Sequence, residues 1–219
     1  MMKKIMIFLG GLLLAAVIIM VILMVIYIKS SAKVTTGIPI PQYNQIKSAL
    51  LVIDIQEALT GKLSYEHSFQ NQSSGLLFRV NRAIDSAEVR NIPVVYIVNE
   101  ITHPLINMLN SSMKKGTPGT APDSRLKRVS ELIFTKDKQD AFTNPELDAF
   151  LVKNQINRLY ITGLDAAYCV KSTVLGALNR NYDVILIEDG IISKSDMDRQ
   201  AALEELKNRG ATAIRVEDF

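Results

Sequence analysis

Polarity along the chain divides it into two regimes. From Ile5 to Ile28 there is no charged residue, and the run consists almost wholly of Ile, Leu, Val, Met, Ala and Gly. An α-helix rises about 1.5 Å per residue, so this stretch reaches roughly 36 Å, enough to cross a hydrocarbon core of about 30 Å with some tilt. The pattern predicts a transmembrane anchor over residues 1–29. Residues 30–47 turn polar, and Gly37, Pro39 and Pro41 disfavour regular structure there, as in a linker. From residue 48 onward, short β-branched runs alternate with longer amphipathic ones. Ala49–Ile55, Pro93–Val98, Glu131–Thr135, Arg158–Thr162, Asp183–Ile187 and Thr212–Val216 are nearly continuously apolar, as parallel strands covered on both faces are. Between them, Leu76, Leu77, Val80, Ala83, Ile84 and Ala87 recur at helical spacing, as do Val170, Val174, Ala177 and Leu178. Pro145 suits the first turn of a helix running to Lys153, and Ser195, with Asp198 reaching back, caps another that ends before Gly210. The alternation predicts an α/β domain with a parallel sheet between helical layers. Residues 99–130, with three prolines and two glycines, interrupt it and read as a lid or specificity loop.

Charge alters the picture only once the apolar run is set aside. Three of the 25 Lys and Arg residues (Lys3, Lys4 and Lys29) flank that run, which holds no acid, so the remainder carries 22 basic and 22 acidic side chains. A formally neutral domain lacks the basic excess of a nucleic-acid binder, and no nucleic-acid partner is expected. About 190 residues suffice for a single domain with its own core. The only cysteine is Cys169, which excludes an intramolecular disulfide and leaves its thiol either as packing or as chemistry.

In an open parallel sheet, ligands bind beyond the carboxyl ends of the strands. Asp54 ends the first strand, Lys136 follows the third, and Cys169 follows the fourth by a short turn, so one edge could hold all three. Near the start of a helix and beside a lysine, a thiol pKa falls, and the expectation is a thiolate accessible near neutral pH. Taken singly, each residue has an ordinary reading: Cys169 as core filler, Asp54 as a cap, Lys136 as a solvated charge.

Together the residues resemble the isochorismatase-like cysteine hydrolases, a superfamily that includes nicotinamidases and N-carbamoylsarcosine amidases. Three segments carry the likeness: Leu51-Val52-Ile53-Asp54-Ile55-Gln56, Lys136 followed six residues later by Phe142, and Gly163-Leu164-Asp165-Ala166-Ala167-Tyr168-Cys169-Val170. The resemblance covers residues 48 to about 216 and implies a three-layer α/β/α fold around a six-stranded, mostly parallel, Rossmann-like sheet. It implies that Cys169 is the nucleophile, Asp54 the general base and Lys136 the residue that polarises the thiol and holds the base. It further implies a non-proline cis peptide between Leu164 and Asp165, an oxyanion hole formed by the N–H groups of Asp165 and Cys169, and a substrate pocket at Gln56, Leu59, Phe142 and Tyr168. The expected activity is hydrolysis of a small amide, imide or ureide through an acyl-enzyme, without a cofactor. Homo-oligomers are common in the superfamily, so one is expected here.

Departures accompany the likeness. The family often has Thr and a polar residue where Ala166 and Ala167 stand, and an aromatic residue where Leu59 stands. Nicotinamidases hold a divalent ion with an Asp and several His after the second strand. This chain has two histidines, His67 and His103, so a three-histidine site is impossible and no metal is expected. A membrane-tethered binding module that keeps the fold without turnover is the alternative function. A nucleotide-binding oxidoreductase is disfavoured because Asp54-Ile55-Gln56-Glu57 replaces the glycine-rich phosphate turn. For the apolar run, a cleavable signal peptide is the rival reading, although signal cores span only about 7 to 15 residues. Lysines flank the run almost evenly, and the free thiol and the resemblance tilt the expectation toward a domain on the cytoplasmic face.

Overall fold

In the computed structural model, which describes residues 2–219, the branched aliphatic runs form six strands: β1 (Ser48–Ile53), β2 (Val94–Asn99), β3 (Ile133–Lys136), β4 (Arg158–Gly163), β5 (Asp183–Ile191) and β6 (Thr212–Ile214). Met1, the first residue of the expected anchor, lies outside the described residues. The strands pair in the order β3-β2-β1-β4-β5-β6, and every pairing is parallel. Strand order reverses between β1 and β4, which makes their carboxyl ends the crevice where such sheets take ligands.

Alternate residues of the central strands feed two cores, because side chains on a strand point to opposite faces. Leu50 and Val52 pack beneath α2 (His67–Val89), whose stripe Phe69, Leu76, Leu77, Val80, Ala83, Ile84 and Ala87 is buried against them. Leu51, Ile53, Val95 and Ile97 face a second core with Leu147 and Leu151 of α4 (Pro145–Lys153), Val174 and Ala177 of α5 (Lys171–Leu178), and Leu203 and Leu206 of α6 (Asp196–Asn208). Pro145 opens α4 and Ser195 caps α6, as expected. The Asn144 side chain accepts from Glu146 N–H ahead of Pro145, and the Ser195 hydroxyl accepts from Asp198 N–H.

Three segments depart from expectation. β5 runs to Ile191, four residues past the apolar run, because Thr162 Oγ1 donates to Gly190 O at 2.6 Å and keeps the polar Glu188-Asp189-Gly190 stretch in the sheet. Residues 99–130 contain a six-residue helix, α3 (Pro104–Leu109), and are tied down beyond it. Asp123 accepts from Thr60 Oγ1 at 2.8 Å, while Lys127 reaches Asp85 and Glu88. Beyond Ser31, where α1 (Met2–Ser31) ends, the stretch expected as a linker has no regular structure, yet it is pinned. Thr35 donates through its N–H and hydroxyl to Asp140 Oδ2 at 2.8 and 2.7 Å, and Arg180 Nη1 donates to Thr35 Oγ1 at 2.8 Å. Gly37 (φ +61°) lies so close to the Arg180 guanidinium that a Cβ there would sit 2.2 Å from Cζ. The apolar run forms α1 (Met2–Ser31). Its Phe8–Ser31 stretch is long and apolar enough to cross a membrane, and none of its residues is fully buried, Met24, Tyr27 and Ser31 being half-buried.

Candidate active site

Asp54 directly follows β1 with φ +56°, a left-handed conformation that an aspartate tolerates better than most residues and that turns the chain sharply off the strand. Lys136 is the last residue of β3, two strands away across β2, a separation of about 10 Å at ordinary strand spacing. Its long stem runs back along the sheet edge, so its ammonium meets groups on the far side of β2. From β4, Gly163 (φ +120°) opens the turn to Cys169. A Cβ at that position would fall 2.1 Å from Ile53 O, so only glycine lets the ends of β1 and β4 approach this closely. The Leu164–Asp165 peptide is cis, and Cys169 lies in a π-helical turn, Ala166–Val170, that runs into α5.

These three strand ends bring the expected trio together. Lys136 Nζ donates to Asp54 Oδ2 at 2.8 Å and to Cys169 Sγ at 3.2 Å. The Lys136 and Asp54 side chains are buried, at 0% and 2% exposure, while Cys169 keeps partial exposure. Asp54 Oδ1 is buried and makes no hydrogen bond within the protein, so one carboxylate oxygen is available to take a proton. Burial pulls the Lys136 pKa down, but the Asp54 charge and the hydrogen bonds to Asp54 and Cys169 outweigh it and hold the ammonium above its ordinary range. For Cys169 the expectation of a lowered pKa is reversed. Burial first, and then the Asp54 charge, push the thiol up to about 12, against the pull of Lys136. The lysine is already matched by Asp54, so a thiolate would add an unbalanced buried charge.

Asp165 braces the turn. Its Oδ1 accepts from Ala167 N–H at 2.9 Å and from the Ser193 hydroxyl, and burial raises its pKa despite those bonds. Neither the sequence pattern nor any spacing signalled Ser193, which meets Asp165 only through the fold.

Two of the expected pocket residues have other roles. Gln56 is fully buried, donating through Nε2 to Asn99 O and Thr120 O at 3.0 and 2.7 Å and accepting from Asn99 N–H at 2.8 Å, so it latches the long loop rather than facing substrate. Phe142 is core, with its ring 5.8 Å from Tyr182 and the Arg180 guanidinium over its face at 4.5 Å. Leu59 lines a cavity of about 330 Å³ together with Phe69, Met113 and Lys194. Tyr168, beside the cysteine, is 51% exposed.

The family model for the isochorismatase domain matches residues 48–218. The chain belongs to the isochorismatase family. A secreted isochorismatase effector of Phytophthora sojae is 28% identical over 192 residues, spanning 86% of this chain and 80% of that protein. Among solved structures, N-carbamoylsarcosine amidase from Thermoplasma acidophilum superposes with a TM-score of 0.67 at 26% identity, covering 80% of this chain and 99% of its own. A nicotinamidase from Bacillus subtilis shares the fold at a TM-score of 0.68 and 20% identity, over 78% of this chain and 100% of that one.

The stretch where the resemblance would place nicotinamidase-type metal ligands does not fit an ion. His103 stacks on Tyr27 with ring centroids 4.5 Å apart, and among the described residues no three His, Cys, Asp or Glu side chains are grouped to hold a metal.

Proposed function

We propose that this isochorismatase-family hydrolase cleaves the C–N bond of a small amide, imide or ureide through a thioester on Cys169. The observation that carries the reading is the bridge of Lys136 Nζ between Asp54 Oδ2 and Cys169 Sγ, three residues from three separate strand ends. With the thiol protonated at rest, Asp54 acts as general base during attack rather than beforehand.

In the first half-reaction Asp54 takes the thiol proton as Sγ bonds to the substrate carbonyl carbon. The amides of Ala166, Ala167, Tyr168 and Val170 are already committed within the protein, to Ile192 O, to Asp165 Oδ1 and, for the last two, to Asp165 O. The other two amides of the segment, those of Asp165 and Cys169, are the proposed donors to the oxyanion. Collapse breaks the C–N bond, and the departing nitrogen receives the proton from Asp54. Water then gives a proton to Asp54 as its oxygen attacks the thioester, and the second collapse returns that proton to sulfur and releases the acid. Lys136 keeps its charge throughout, holding Asp54 in place and offsetting negative charge on sulfur.

Residues 1–29 are proposed as an uncleaved membrane anchor, 30–47 as its linker and 48–219 as the catalytic domain on the cytoplasmic side. Carbonate extraction and protease protection of the full chain test the anchor and its orientation. A chain whose N-terminus begins after residue 30 would mark a cleaved signal instead. Hydrolysis of nicotinamide, N-carbamoylsarcosine and simple p-nitroanilides by the wild type, lost in both Cys169→Ala and Asp54→Asn, tests the chemistry. Turnover that survives either substitution overturns it.

A further inference from the structure

The contacts of α1 with the domain gather on one side. Ser31 O accepts from Gln139 N–H at 3.1 Å, three residues past Lys136, and Tyr27 stacks on His103 in the loop after β2. Farther along α1, Met20, Val21, Met24 and Val25 form an apolar cleft with Leu105 and Leu109 of α3. At about 1.5 Å per residue these α1 positions lie roughly 5 to 12 Å inside Ile28, the last residue of the uncharged run. Helices lying in a bilayer interface bury their apolar face by about 5 to 10 Å, a similar depth.

α3 has the composition for that position. It carries no charge, Met108 and Leu109 are 71% and 61% exposed, and Asn107 folds its amide back onto Ile101 O at 3.0 Å. Exposed Leu63 and Tyr65, after β1, and Tyr168, in the π-helical turn, stand at the same sheet edge, and Lys114 and Lys115 follow α3 in sequence. Aromatic and basic side chains of this kind favour the headgroup zone. Because Thr35 is bonded to Asp140 and Arg180, little slack separates the anchor from the domain, which cannot turn this edge away.

We propose that α3 lies in the interface of the bilayer that α1 spans, so that the candidate site opens onto lipid and takes carbonyl substrates with an apolar tail partitioned into the membrane. The cavity lined by Leu59, Phe69 and Met113, with the Glu66–Lys194 ion pair on its wall, also touches Asn110 and Ser112 just after α3 and is where such a tail would lodge. The inference rests on the anchor and amide-hydrolase readings above.

The chain contains no tryptophan, so single introduced tryptophans report alone. Full-length Met108→Trp, Ile18→Trp and Val89→Trp are reconstituted into phosphatidylcholine vesicles with and without brominated acyl chains. Val89 is exposed at the opposite edge of the sheet. Quenching of Met108→Trp comparable to Ile18→Trp, with Val89→Trp unquenched, is the expected result. Quenching at Ile18→Trp alone overturns this inference while sparing the anchor, and none at Ile18→Trp overturns both. In the same vesicles, kcat/KM for octanoyl p-nitroanilide is expected to exceed that for the acetyl compound several-fold. Equal values defeat lipid-side entry. No hydrolysis of either defeats the amide reading and the substrate half of this inference together, leaving the quenching to decide the docking.

Discussion

Replacing Lys136 by methionine preserves an unbranched stem but removes the ammonium that donates to both Asp54 and Cys169. Both partners of the ion pair are at most 2% exposed, so Asp54 would be left as an uncompensated buried charge. Breaking such a pair from one side costs about 3 to 5 kcal/mol. For a domain of this size that corresponds to roughly 6 to 20 °C in melting temperature. Asp54→Asn should cost a similar amount by stranding the ammonium, whereas the double variant, with both charges gone, should recover much of the loss. Folded Lys136 titrates above free lysine (about 10.4), so the sign is fixed: the pair stabilises the protein below that value and is lost only as pH rises through the higher folded pKa. The assay is thermal unfolding of the detergent-solubilised full chain, followed by circular dichroism at neutral pH. Single variants that melt with the wild type, or a double variant that melts no higher than either single, would refute the buried-pair argument.

Alkylation of Cys169 by iodoacetamide should be slow at neutral pH and should accelerate only well above about 8.5, the value of a free thiol, because the folded thiol is pushed up to about 12. At any given pH, Lys136→Ala should slow the reaction further by removing the pull of the ammonium, as mass spectrometry of the Cys169 peptide would report. Gly163→Ala should cost about 3 kcal/mol or more, since its Cβ meets Ile53 O in a positive-φ conformation. A melting temperature near wild type would contradict the close approach of β1 and β4. Arg180→Met removes the bonds to Asp148 and Thr35 and should destabilise by about 1 to 3 kcal/mol. It should also hasten tryptic cleavage at Lys33, and unchanged cleavage would mean that the linker is not pinned by Arg180.

The six strands could be read from the sequence because strands buried on both faces are continuously apolar, and the site edge followed from where polar residues end those runs. Strand order, and hence the neighbourhood of Asp54 and Cys169 at the β1/β4 switch, rested on the resemblance rather than on any local pattern. β5 continues through Glu188 and Gly190 because of a bond from Thr162, which lies on another strand. The linker looked loose because the residues that pin it, Asp140 and Arg180, are more than a hundred positions away. α3 escaped notice as only six residues, the first of them a proline, inside a stretch of breakers. The thiol expectation reversed because local reasoning weighed the nearby helix and lysine, while burial and the Asp54 charge appear only in three dimensions. Gln56 and Phe142 show the same limit: a motif fixes which residues are present but not which way each faces.

If Cys169 attacks a carbonyl carbon while Asp54 takes its proton, an acyl-enzyme forms on Cys169 and can be trapped. The full chain is mixed with p-nitrophenyl butyrate, quenched in acid on the millisecond-to-second scale, digested and weighed by mass spectrometry. A butyryl increment on the Cys169 peptide of the wild type should rise and decay with turnover, be absent from Cys169→Ala, and form far more slowly in Asp54→Asn. Turnover without an adduct on Cys169, or an adduct that forms equally fast in Asp54→Asn, would contradict attack by Cys169 with Asp54 as its base.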